Sequence, residues 1–125
     1  MRRLLALSAA ALLATACRPP ENPAQRYERF ARAAREGKAG AVWSMLSSGS
    51  QERFRARAKE LGLPGDPARL VLGDLAPSAP KVKSVTPLRE SQKKAVVAVE
   101  TEDGARGEVT LVREGEEWKV VLPEG

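Results

Sequence analysis

Hydrophobic and polar positions change period twice along this chain, and the changes divide it into three parts. The first is a continuous apolar run, Leu4 to Leu13, behind the basic Met1-Arg2-Arg3. The second repeats at helical spacing. Tyr27, Phe30, Ala31 and Ala34 fall at i, i+3, i+4 and i+7, which places them on one face of a helix over about residues 23–36, with Arg29, Arg32 and Glu36 on the other. Asn22-Pro23 reads as an N-cap followed by proline at the first helical position. Gln25 stands where a capping box needs it, and Gly37 where the helix should stop. Ala39, Val42, Trp43 and Leu46 predict a second helix over about 39–47, broken by Ser-Ser-Gly-Ser at 47–50. A third is expected over 51–61 with Phe54, Ala58 and Leu61 inward, and a brief helical turn over 67–71 after Asp66-Pro67.

From Pro77 onward the period is two. Valine-rich segments at 81–86, 93–101, 106–113 and 117–122 alternate in polarity and are separated by turn signals such as Glu102-Asp103-Gly104 and Glu114-Gly115. Val97 and Val99 oppose Val96 and Ala98, Val109 and Leu111 oppose Glu108 and Thr110, and Trp118, Val120 and Leu122 oppose Lys119 and Val121. Short connections between successive strands favour antiparallel pairing, because a parallel pair needs a long crossover. Helices first and strands afterwards predict the α+β class: N-terminal amphipathic helices packed on a curved four-stranded antiparallel sheet, preceded by a cleaved signal peptide.

The opening apolar run is too short for a membrane span, which takes roughly 20 residues. With its basic start and the small residues Ala14-Thr15-Ala16 it has the pattern of an export signal. Leu13-Ala14-Thr15-Ala16-Cys17 then resembles the lipobox of bacterial lipoproteins, with Ala14 where that family most often has leucine. The resemblance implies that Cys17 receives a diacylglyceryl thioether, becomes the new amino terminus and is usually N-acylated. It divides the chain into a signal peptide at 1–16, a lipidated cysteine and short tether at 17–21, and one α+β domain at 22–125. Arg18 is not the aspartate that in many such lipoproteins signals retention at the inner membrane, so the implied address is the outer membrane, facing the periplasm. An ordinary signal peptide that leaves a free cysteine is the bland alternative.

Composition narrows the chemistry. The 125 residues contain no histidine and a single cysteine, so the commonest general base and metal ligand are missing, and no intramolecular disulfide can form. A nucleophilic role for Cys17 would need a neighbouring base that no histidine can supply. No metal and no cofactor are therefore expected. Charge is uneven: residues 18–60 carry 10 Lys/Arg against 5 Asp/Glu, and residues 61–125 carry 9 against 11. The basic helical half does not predict nucleic-acid binding, since its charges are spread around the helices and spaced for intrahelical pairing, and export removes the chain from most nucleic acid. An anionic lipid surface is the sharper partner for a tethered basic face, and an envelope protein is the other.

The helix pattern, with "YERFARAAREGKAGAVWSMLS" at 27–47 and "REGEEWKVVLP" at 113–123, is also similar to the nuclear transport factor two-like fold, or cystatin-like cone. That resemblance implies a pocket between helices and sheet, with Tyr27, Phe30, Trp43 and Trp118 as candidate lining. Ketosteroid isomerases of that fold use a tyrosine with two aspartates. Here Tyr27 is present, but Asp66 and Asp74 fall in a connector and Asp103 in a turn, so no catalytic set carries over. The expectation is a non-enzymatic, membrane-anchored lipoprotein that binds or interacts with a partner at the envelope. The alternative is a small periplasmic isomerase- or dehydratase-like enzyme.

Overall fold

The structure, a computed structural model, describes residues 20–63, 65–75 and 81–123. The expected signal peptide and Cys17 lie outside these residues. The described chain is α+β: α1 (Pro23–Arg35), α2 (Ala39–Met45), α3 (Ser48–Glu60) and α4 (Pro67–Leu75) precede β1 (Val82–Glu90), β2 (Lys94–Thr101), β3 (Arg106–Glu114) and β4 (Glu117–Val121). The sheet is antiparallel with strand order β1-β2-β3-β4, a meander left open between its two edge strands.

α1 begins as its sequence specifies. The Asn22 side chain accepts the Gln25 backbone N–H at 2.8 Å, and the Gln25 side-chain Oε1 accepts the Asn22 backbone N–H at 3.1 Å, so two otherwise unsatisfied donors are met reciprocally. Gly37, at φ 73°, takes the left-handed conformation that closes the helix. The buried stripe, however, is rotated from the expected one. Ala24, Arg26, Phe30 and Ala33 are buried, while Tyr27, Ala31 and Ala34 are half-buried.

Three boundaries differ from expectation for physical reasons. The 47–50 stretch separates two helices but also starts the second: Ser47 is the N-cap of α3, accepting the Ser50 N–H at 3.1 Å, so α3 begins at Ser48 and α2 ends at Met45. Leu46 is not the last helical residue of α2. It is extended and forms a parallel bridge to Val120 on the outer edge of β4, with Ser47 N–H donating to the Val120 carbonyl at 2.9 Å. That bridge covers part of an edge that would otherwise offer unpaired backbone groups. The turn expected over 67–71 continues as the nine-residue α4. Leu61, expected inward, is the cap residue of α3 and is 56% exposed.

β1 runs to Glu90, past Pro87. Proline is tolerated because β1 is an edge strand, where one set of N–H groups has no ladder partner to lose. Register shifts at Val82/Ser84 and Pro87/Arg89 and the charged Lys83 and Arg89 blunt that edge. In β2 the expected alternation is half right: Ala95, Val97 and Val99 are buried on one face, but Val96 on the other is buried as well.

The core cluster joins both halves of the chain. Ala24, Phe30 and Ala33 of α1, Val42 and Met45 of α2, Leu46, Phe54 of α3 and Val71 of α4 gather with Ala95, Val97 and Val99 of β2, Leu111 of β3, and Trp118 and Val120 of β4. α1 contacts β1, β2 and β4, and α2 contacts α1, α4 and β4.

Candidate functional site

The described fold starts three residues after Cys17, and its first residues are held by charge as well as by the cap. Glu21 lies between two arginines of α1, 3.1 Å from Arg26 Nε and 3.2 Å from Arg29 Nε. Arg26 is 6% exposed and extends toward β4, where Nη2 is 3.7 Å from Glu117. The 3.1 Å contact of Arg26 Nε with Glu21 Oε1 is off the angle of a hydrogen bond, so charge rather than directional bonding holds that pair. Glu117 is itself held below the usual carboxylate range. The causes are a hydrogen bond from Lys119, then the charge of Lys119, then that of Arg26. The last residue of the expected tether is thereby coupled to α1 and, through Arg26, to the sheet.

Two open hollows adjoin this corner and share a wall. One, of about 360 Å³, is lined by Pro20, Glu21, Gln25, Glu28, Arg29 and Arg32. The next, of about 370 Å³ between α1 and α2, is lined by Arg29, Arg32, Ala33, Glu36, Lys38, Ala41, Ser44 and Met45. In that second hollow three cations face one carboxylate. Glu36 is taken up by Lys38 at 3.0 Å, and Arg32 makes no ion pair among the described residues.

A third hollow, of about 600 Å³, opens elsewhere, between the first turns of α3 and the ends of β3 and β4. Its polar wall is bonded internally. Ser50, 1% exposed, has its hydroxyl 3.0 Å from that of Ser47 and accepts Leu122 N–H at 3.1 Å and Arg53 Nη2 at 3.2 Å. Arg53 also donates to the Leu122 carbonyl, and Glu114 accepts both the N–H and the hydroxyl of Ser48 at 2.9 Å. These contacts fasten α3 to the end of the sheet.

The residues proposed from the sequence as pocket lining are dispersed. Phe30 and Trp118 are each 2% exposed and belong to the core cluster, while Tyr27 and Trp43 pack against it half-buried. The Tyr27 and Phe30 rings lie 5.9 Å apart, and burial pushes the Tyr27 hydroxyl above its ordinary pKa. Trp43 is covered by the Arg55 guanidinium at 5.4 Å and Trp118 by that of Arg113 at 4.7 Å, both within cation–π range. None of the four lines any of the three hollows.

Asp66 and Asp103 each make local contacts. Asp66 pairs with Arg69 at 3.0 Å at the start of α4. Asp103 accepts the Thr101 hydroxyl and the Ala105 N–H in the β2–β3 turn, and those bonds lower its pKa. Among the described residues no group of three or more Asp, Glu or Cys could hold a metal ion, and no helix is long and apolar enough to cross a membrane.

The apolar stripe read from the sequence does not include Arg26, because apolar periodicity leaves charged residues out. Its position, four before Phe30 and seven before Ala33, was the available signal.

No protein-family model matches the chain, and no curated protein matches it.

Proposed function

We propose that this chain is a bacterial lipoprotein, anchored through a lipidated Cys17 in the outer membrane and facing the periplasm, whose single domain is a non-enzymatic binding or interaction module of the cell envelope. The observation that carries the reading is the junction. A lipobox-like Leu13-Ala14-Thr15-Ala16-Cys17 is followed within five residues by a capping box and by Glu21 held between Arg26 and Arg29. A tether this short has one evident use, to keep a folded domain against the surface that holds its amino terminus. Two or more acyl chains make such anchoring effectively stable, since each buried methylene contributes ~0.8 kcal/mol.

In this reading the helices lie over a curved sheet face in a cone-like arrangement, and the interior serves stability. Phe30, Val42, Leu46, Val97, Leu111, Trp118 and Val120 are each at most 2% exposed. The buried polar side chains Arg26, Ser47 and Ser50 are engaged with the fold's own groups. Binding then belongs to the surface.

The test is mass spectrometry of the processed amino terminus with fractionation of the envelope. The wild-type chain should begin at Cys17, carry a mass increment for acyl chains and partition with outer membranes. Cys17→Ser should leave an unprocessed precursor or a chain without lipid. A Cys17→Ser protein that is still processed before residue 17 and still fractionates with the membrane would overturn the anchor.

A further inference from the structure

The anchor and the domain surface meet at a defined place. From the Cα of Cys17 to that of Pro20 the chain spans at most about 11 Å even when fully extended. Pro20 does not project from an arbitrary point: it lines the same hollow as Arg29 and Arg32, and Glu21 beside it is held by Arg26 and Arg29. The covalent link therefore leaves from the outer side of α1, and a domain on so short a link cannot turn its far side to the bilayer without rolling over its own attachment. The next surface along α1 is the hollow between α1 and α2, where Arg29, Arg32 and Lys38 stand against the one carboxylate Glu36. Arg32 has no ion-pair partner among the described residues, and the side chains of Arg29 and Lys38 are 52% and 64% exposed.

Resting on the lipid-anchor reading, we infer that the face formed by α1 and the α1–α2 connection is the membrane-facing surface of the domain, and that the α1–α2 hollow takes the phosphate of anionic phospholipid headgroups. Guanidinium groups suit this role, since their planar fork donates two parallel hydrogen bonds to phosphate oxygens. Ala33, Ala41 and Ser44 are the small residues of the hollow's wall, alongside the buried Met45, and Arg32 and Lys38 are exposed at its rim. The opposite side of the domain, with Lys83 paired to Glu100 at 3.8 Å and Lys94 exposed on the same sheet face, is left to the periplasm for any protein partner.

Lysine footprinting on the lipidated full-length product tests this directly. The protein is reconstituted into vesicles of phosphatidylcholine alone or of phosphatidylcholine with phosphatidylglycerol, briefly acetylated, and mapped by mass spectrometry. Lys38 labelling should fall about fivefold on the anionic vesicles relative to the zwitterionic ones, the ratio that one basic side chain at an anionic surface supports. Lys83 and Lys94 should label equally on both. Arg32→Glu should restore most of the Lys38 labelling and Arg32→Lys should not; both positions are exposed, so far-UV circular dichroism should be unchanged. Equal Lys38 labelling on the two vesicle types, or protection of Lys83 and Lys94 instead, overturns the inference. Failure of the protein to float with either vesicle overturns the anchor reading itself, so the two failures are told apart.

Discussion

Replacing Ser50 with alanine removes one oxygen atom, and the structure makes that oxygen a junction. Its hydroxyl accepts the Leu122 N–H and the Arg53 guanidinium and lies 3.0 Å from the Ser47 hydroxyl. The mutation leaves the backbone N–H that follows β4 without its acceptor, in a region only partly open to water. An unsatisfied buried donor costs about 1–3 kcal/mol. Because Leu122 is half-buried and Arg53 keeps its bond to the Leu122 carbonyl, the lower part of that range applies, about 1–2 kcal/mol. For a domain of this size such a loss lowers Tm by roughly 5–10 °C. Reversible urea unfolding followed by far-UV circular dichroism gives the free energy, and hydrogen exchange at the Leu122 amide gives the location. Protection of Leu122 should fall, while that of the β2 amides should drop only with global stability. The exposed neighbour Ser48, bonded to Glu114, is the control: Ser48→Ala should stay within about 0.5 kcal/mol of wild type. If Ser50→Ala costs no more than Ser48→Ala, or if Leu122 protection is unchanged, the α3–β4 junction does not hold as described.

The helix cap and the buried arginine give two further tests. Asn22→Ala removes the side-chain acceptor of the Gln25 N–H while the residue 22 N–H keeps its bond to the Gln25 side chain, and should cost about 1 kcal/mol, read by urea unfolding, with the loss of exchange protection confined to the first turn of α1. Arg26→Met keeps the bulk of the side chain in the core and removes a charge whose partners Glu21 and Glu117 can turn to water, so stability should change by less than about 1 kcal/mol in either direction; Arg26→Ala, which also opens a gap beside Phe30, should be clearly worse. Glu117 supplies a pH signature. Its pKa is depressed in the fold, so its stabilising share is present above the ordinary glutamate value of 4.5 and is lost as the pH falls below it. Glu117→Gln should lower stability above pH 6, leave it unchanged at low pH and so flatten that acid limb, and an unchanged limb would show that the Lys119 and Arg26 contacts contribute nothing.

How much of this was legible in the sequence depended on whether the information was local. The capping box, the stop at Gly37, the turns at 102–104 and 114–115 and the antiparallel meander all follow from residues a few positions apart, and all appear where expected. The readings that differ are decided by distant partners. Leu46 leaves its helix because Val120 accepts it as a strand, and the serines at 47 and 50 are helix-starting because the chain turns there against Leu122. Pro87 did not end β1, since whether a strand is an edge is a property of the sheet and not of the strand.

The buried arginine shows the same limit at the candidate site, and it bears on what the site is for. Residue type alone sends Arg26 outward, yet it is buried on the helix face that carries Phe30 and Ala33, four and seven residues on, while its head reaches Glu21 on one side and Glu117 on the other. A salt bridge of this kind is weak evidence for stability, because desolvating the guanidinium offsets most of the attraction. What such a group can do at low net cost is specify geometry. Here it fixes where residue 21 sits relative to β4, and residue 21 is where the proposed tether enters the domain. Stability and orientation are therefore separable in Arg26→Met: the fold should survive, while the difference in Lys38 labelling between anionic and zwitterionic vesicles should shrink because the attachment point is no longer held. If that variant keeps the full wild-type footprint, the Glu21–Arg26–Glu117 chain has no part in orientation, and Arg29 alone must secure the entry of the tether.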